Sequence, residues 1–190
     1  MQKRFFNIVL LLFYASVLFG QEGVYTDLEL AKSNPEDVRV LILKRDRLKE
    51  WPSELNSFVN LVHLDLSHNK LTALPRDLSP YSSLLYLDVS ANKLDSIPAA
   101  IGDLTALQQL EAGNNEIFDV HDNVGKLKQL EVLSLWGNNI YYLPDVFYEM
   151  PRLNEIDLRG ISMNQRLQED IKDMIPERIK VRLSQSCNCD

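Results

Sequence analysis

The apolar residues of this chain return on a 23-residue cycle that runs from Val38 to Leu153. One full cycle, starting at Leu61, reads LVHLDLSHNKLTALPRDLSPYSS. Further copies open at Leu84, Leu107 and Leu130, an earlier one at Val38, and the first half of a sixth at Leu153. Position 4 of the cycle is Leu41, Leu64, Leu87, Leu110, Leu133 and Ile156, and position 6 is Leu43, Leu66, Val89, Ala112, Leu135 and Leu158. An apolar residue at every second place is the signature of a strand, with the odd positions on its opposite face. A fixed period in this range predicts a solenoid, because no single copy can bury its apolar side without a neighbour.

The remaining apolar positions predict how each coil closes. Position 11 is Leu48, Leu71, Leu94, Ile117 and Ile140, position 14 is Trp51, Leu74, Ile97, Val120 and Leu143, and position 18 is Leu55, Leu78, Ile101, Val124 and Phe147. Full burial of such a side chain contributes about 1.5–3 kcal/mol, and the coils obtain it by covering one another. Position 9 is polar: Asp46, Asn69, Asn92, Asn115 and Asn138. It lies between apolar positions 6 and 11, so the chain turns inward there. An amide carries donors and acceptors and is expected to satisfy backbone of its own coil and the next. Asp46 has no donors, which suits an end coil.

Both ends depart from the cycle. Lys3 and Arg4 precede an apolar run from Ile8 to Phe19, followed by Gly20, Gln21 and Glu22. That order predicts a secretory signal peptide over residues 1–20, cleaved after Gly20. The run is shorter than the roughly 20 residues a membrane span needs. Residues 21–37 are expected to form an N-terminal cap, with Thr26 and Glu29 as a capping box and Leu28, Leu30 and Ala31 covering the first coil. Repeats occupy 38–160. Ile161 stands where position 9 would be Asn, which marks the end of the array. Residues 161–190 are expected to form a C-terminal cap and tail. Leu167, Ile171 and Met174 predict a helix from about Asn164 to Met174, and alternating Ile179, Val181 and Leu183 predict a last strand. Cys187 and Cys189 are the two cysteines, too close for an ordinary disulfide with each other and without further cysteines to pair.

The pattern LxxLxLxxNxLxxLPxxLxxLxx closely resembles the 23-residue leucine-rich repeat of the Ras-suppressor class, which many bacterial secreted proteins share. The resemblance covers about 38–160, with departures at Ala112, Val120, His121 and Ile161. It implies an α/β right-handed solenoid with a concave parallel β-sheet and short helical caps. It also implies non-enzymatic protein–protein recognition on the concave face, by a protein that is secreted, periplasmic or at the cell surface. The alternative function is structural or surface display through the convex side or the C-terminal tail.

Composition and charge refine that expectation. The chain has 190 residues and is 45% hydrophobic and 25% charged, which are globular values. Its net charge of −7 argues against nucleic acid and anionic membranes and mildly favours a basic partner. With positions 4 and 6 inward, the concave face displays positions 3, 5, 7 and 8. Partner-binding candidates are therefore His63, Asp65, Tyr86, Asp88, Gln109, Glu111, Trp136 and Asp157. Asp65, Asp88 and Glu111 form a ladder of like charges, a mildly unfavourable arrangement that a basic partner would relieve. Tyr86 and Trp136 are rigid aromatic anchors, although Trp136 is equally placed to pack over Gly113. Lys44 and Arg45 make the opposite end basic. His63, Asp65 and Ser67 share a face but are about 7 Å apart per step, too far for a catalytic triad. Neither a phosphate-binding glycine loop nor a calcium-ligand loop is visible, so no catalytic residue, cofactor or metal is expected.

Overall fold

The computed structural model describes residues 23–163 and 165–184. The expected signal peptide, its cleavage after Gly20, Asn164 and the two cysteines lie outside the described residues. The core of the molecule is one parallel sheet of eight strands that lie side by side in sequence order. β2 (Val40–Ile42), β3 (His63–Asp65), β4 (Tyr86–Asp88), β6 (Gln109–Glu111), β8 (Val132–Ser134) and β9 (Glu155–Leu158) are the repeat strands. Each contributes its position 4 residue to the interior and half-exposes positions 3 and 5, apart from the buried Ser134 and Asp157.

Registers follow the repeat without slippage: Leu41 faces Leu64, Leu64 faces Leu87, Leu87 faces Leu110, and Leu110 faces Leu133. This is the parallel pairing that a constant period dictates, since each strand meets the residue one cycle away. A second, two-stranded ladder joins β5 (Ser96–Ile97) to β7 (Asp119–Val120) on the flank. Short 3-10 turns close each coil on the outer side, as at Ala99–Asp103 and Asp122–Lys126.

The apolar positions fill one continuous core, which includes position 1 as Val38, Leu61, Leu84, Leu107, Leu130 and Leu153. Position 21 belongs to it as well, as Phe58, Tyr81, Leu104, Leu127 and Met150. The Tyr81 hydroxyl is satisfied inside by donating to Asn56 Oδ1 at 2.6 Å and accepting from Trp51 Nε1 at 3.0 Å.

Asn69, Asn92, Asn115 and Asn138 are buried and make the same bonds in every coil. Asn92 Nδ2 donates to Leu66 O and Val89 O, while its Oδ1 accepts from Leu71 N. The neighbouring groups belong to the preceding coil, not the next one. The side chain leans back along the solenoid, where the position 6 carbonyl and position 11 amide face it. Asp46 is exposed in the first coil, which has no earlier repeat to satisfy.

Position 8 is left-handed throughout. Arg45, His68, Ala91 and Asn114 have φ of 67°, 56°, 53° and 53°, and Gly137 and Gly160 follow with 65° and 73°. The turn therefore takes position 8 to the corner, away from the sheet face on which the sequence pattern displayed it. A side chain in this conformation costs about 1–2 kcal/mol unless it is Gly, or Asn with local bonds. Ala91→Gly is expected to raise the unfolding free energy by about 1 kcal/mol, read from urea denaturation.

The caps differ in detail from expectation. Helix α1 (Leu28–Ser33) is capped by Asp27, whose side chain accepts from Leu30 N at 2.9 Å, and not by Thr26. Asp27 stands three residues before Leu30, the spacing an N-cap acceptor needs. Ala31 is buried but Leu30 points to solvent, so the cover comes from Ala31, a partly buried Leu28 and strand β1 (Val24–Tyr25). At the other end, helix α2 (Gln165–Met174) buries Ile171, and β10 (Lys180–Leu183) pairs with β9. Arg178 finishes the array by donating to Leu153 O and Met150 O, each at 2.7 Å.

Candidate functional site

Two parallel rows cross the concave face because the repeat strands are in register. Position 3 gives Val40, His63, Tyr86, Gln109, Val132 and Glu155, and position 5 gives Ile42, Asp65, Asp88, Glu111, Ser134 and Asp157. Adjacent members are about 4.8 Å apart by strand spacing. All eight candidate residues lie on this face or its rim, but their states differ.

His63 and Tyr86 stack with ring centroids 4.2 Å apart and planes 6° from parallel. Burial pulls the His63 imidazole down to about 4, against a smaller opposing pull from Asp65. Burial raises the Tyr86 hydroxyl, reinforced by Asp88 and Glu111. His63 is thus neutral near pH 7, and the folded state disfavours its charged form. Sign follows directly: for a base whose folded value is depressed, the unfolded chain binds the extra proton as pH falls below about 6.5. Stability attributable to His63 is therefore present above pH 6.5 and lost between about 6.5 and 4. The difference between wild-type and His63→Phe stability curves is expected to change across that window, with histidine titration by NMR locating the midpoint.

The carboxylates do two kinds of work. Asp65 Oδ1 accepts from Ser67 N and Asp88 Oδ1 from Ser90 N, both at 2.8 Å, which closes each strand end. Asp157 Oδ1 accepts from Arg159 N in the same way. Glu111 is held by Gln109 Nε2 at 2.7 Å. Burial raises both Asp88 and Glu111 above the ordinary carboxylate range, opposed by bonds from Ser90 and from Ser134 and Gln109 respectively.

At the C-terminal end the charge is already matched. The Arg159 guanidinium forks onto both oxygens of the buried Asp157, and Glu155 pairs with Lys180 and Arg182. Among the described residues, Asp65, Asp88 and Glu111 form no ion pair. The face is thus neutralised at one end and negative in the middle.

Trp136 answers the packing question with both roles. A Cβ on Gly113 would sit 2.2 Å from Trp136 Nε1 and 2.4 Å from Cδ1, so the indole lies directly over Gly113. The ring still leaves 41% of the residue exposed. Trp136, Arg159 and Gly160 line a hollow of about 380 Å³ beside the sheet. The coil spacing delivers Trp136 next to the missing side chain of position 7 one cycle earlier. That pairing of a ring with an upstream glycine is visible in the sequence.

His121 Nδ1 accepts from Asn123 N at 3.0 Å, capping the following turn where other coils carry proline. Sequence reasoning missed Phe118, Tyr141 and Tyr142, which stand out on the flank.

The leucine-rich repeat region model matches residues 30–180. The chain belongs to the leucine-rich repeat family. Its fold is shared with a solved leucine-rich repeat protein of Leptospira interrogans, with a TM-score of 0.64 at 24% identity. That match covers 87% of this chain and 49% of the other, so the chain spans about half the length of its neighbour. A search of the curated proteins finds no match. Leucine-rich repeats form a protein-interaction scaffold that is generally non-enzymatic. No helix among the described residues is long and apolar enough to cross a membrane.

Proposed function

We infer that this leucine-rich repeat protein captures a protein partner on its concave face, through a basic segment laid across β3, β4 and β6. The carrying observation is the row Asp65, Asp88 and Glu111, set on three adjacent strands with no ion-pair partner among the described residues. The His63–Tyr86 stack borders the row on one side and Trp136 stands at its end, so an entering Lys or Arg finds carboxylates and aromatic faces together. Gln109 orients Glu111, whereas Asp157, already bound to Arg159, frames the rim. The basic n-region and apolar run at residues 3–19 support delivery of the protein to a secreted, periplasmic or surface location.

Affinity capture from native extract tests the reading. Asp65→Lys with Asp88→Lys, and separately Trp136→Ala, are each expected to reduce capture of the partner by tenfold or more, a loss of about 1.4 kcal/mol. Capture that survives both changes intact would show that the concave face is not the binding surface.

A further inference from the structure

The flank between the sheet and the outer turns carries a charge pattern that concave recognition does not use. Positions 9, 11 and 14 are inward, so positions 10, 12 and 13 face out together, with position 16 at the outer edge. In the first two coils these positions hold Arg47, Lys49, Lys70 and Arg76 against the single acid Glu50. In the last two they hold Glu116, Asp119, Asp122 and Asp145 and no Lys or Arg. The middle coil holds Lys93 and Asp95. Arg45 and Asp46, at the corner of the first coil, cancel. All these residues are exposed, and among the described residues none forms an ion pair within the chain.

The acidic end also carries the exposed aromatics. Phe118 and Tyr141 occupy position 12 of adjacent coils, and Tyr142 position 13, with 51%, 77% and 60% exposed. Equivalent places in earlier coils hold Lys49, Thr72, Asp95, Glu50, Ala73 and Ser96. The β5–β7 ladder joins the third and fourth coils, and the position 10 amides of Lys70, Lys93, Glu116 and Asn139 each donate to the position 11 carbonyl of the preceding coil, so the flank is a firm surface and not a loose loop.

We propose that this flank is the docking surface for a second copy of the chain, lying antiparallel about a two-fold axis through the middle coil. A two-fold interface presents the same patch twice and must be complementary to itself. Rotation about the middle coil sets the second coil against the fourth, so Lys70 and Arg76 meet Glu116, Asp119 and Asp122. It sets the first coil against the fifth, so Arg47 and Lys49 meet Tyr141, Tyr142 and Asp145, where rings and carboxylate both favour a cation. The middle coil serves itself, with Lys93 of one copy against Asp95 of the other. A parallel arrangement would instead oppose like charges at both ends. The concave face stays open in the antiparallel pair, so the two surfaces act independently.

Sedimentation equilibrium of the purified protein tests the proposal by charge reversal at either end. Lys70→Glu with Arg76→Glu in one variant, and Glu116→Lys with Asp119→Lys in another, are each expected to weaken the dimer about tenfold or more, because both halves of the interface become repulsive. Mixing the two variants is expected to restore a dimer, since the heterologous pair is complementary at both ends. Raising salt weakens the native dimer as the screening length falls towards about 3 Å near 1 M. Phe118→Ser with Tyr141→Ser weakens it too, with unchanged circular dichroism confirming the fold. Asp65→Lys with Asp88→Lys leaves the dimer intact, which separates failure here from failure of the concave reading. A chain that stays monomeric at low salt, including one that captures oligo-lysine on the aromatic end, overturns the proposal. So does a dimer that tolerates either reversal, or a mixture that stays monomeric.

Discussion

Asn92→Ala is expected to lower the unfolding free energy by about 2–3 kcal/mol, measured by urea denaturation with folded content followed by circular dichroism. The change leaves Leu71 N without its acceptor and takes one of two donors from Leu66 O and from Val89 O, which keep Asn69 Nδ2 and Asn115 Nδ2. A buried backbone group left unpaired costs about 1–3 kcal/mol, and relaxation of the coil recovers part of the total. Asn92→Asp is no remedy, because it keeps the acceptor for Leu71 N but aims a carboxylate at two carbonyl oxygens. The position also matters beyond its own bonds. Stability of a solenoid is a sum of nearest-neighbour interfaces, so damage in a middle coil uncouples the halves on either side. Asp46→Ala makes the contrasting case: the same position in the first coil is exposed, and the expected change lies within about 0.5 kcal/mol. Equal losses at both positions would show that the asparagine ladder is not what holds the coils in register.

The difference between Asn92 and Asp46 also shows what the sequence makes legible. Periodicity reports what each coil needs from its neighbours, so the strands at positions 3 to 5, the core positions and the burial of Asn69 through Asn138 follow from the pattern. Terminal coils lack a neighbour, and there the pattern stops informing. Asp27 rather than Thr26 caps α1, Leu30 faces water, β1 adds an unannounced strand, and Arg178 closes the last coil. These depend on tertiary position, not on a repeating environment. Handedness at position 8 was hidden for another reason: Arg45, His68, Ala91 and Asn114 are not glycines, and the left-handed turn is imposed by the fold against the preference of Arg45, His68 and Ala91.

The concave site divides similarly. Spacing alone places Asp65, Asp88 and Glu111 in one row and His63 beside Tyr86. What spacing leaves open is which charges are already matched. Asp157 has the same repeat position as Asp88, yet a basic residue two places on converts it into half of an ion pair. The flank was overlooked because positions 10, 12 and 13 vary freely within the repeat. Its charge order appears only when those variable positions are compared coil by coil.

Gly113→Val should displace the Trp136 ring and with it the aromatic end of the concave site. Gly113 does not have the positive φ that favours glycine, so the obstacle is steric, not conformational. A Cβ there would stand 2.2 to 2.6 Å from Nε1, Cδ1 and Cε2 of the indole, closer than carbon atoms approach. The ring has a way out towards solvent, so the penalty falls on its position more than on the fold. A stability loss of about 1–3 kcal/mol is expected from crowding. The same substitution in a Trp136→Ala background should cost much less, because the clash has gone; that difference is the coupling between the two residues. Trp51, half-buried and bonded to Tyr81, supplies an unchanged fluorescence component against which a red shift from Trp136 can be read. If Trp136 is a binding anchor, partner affinity falls by about 2 kcal/mol, some thirtyfold, in Gly113→Val as in Trp136→Ala. A shifted indole with undiminished capture would leave Trp136 as a cover for the Gly113 backbone and return the recognition of the partner to the carboxylate row.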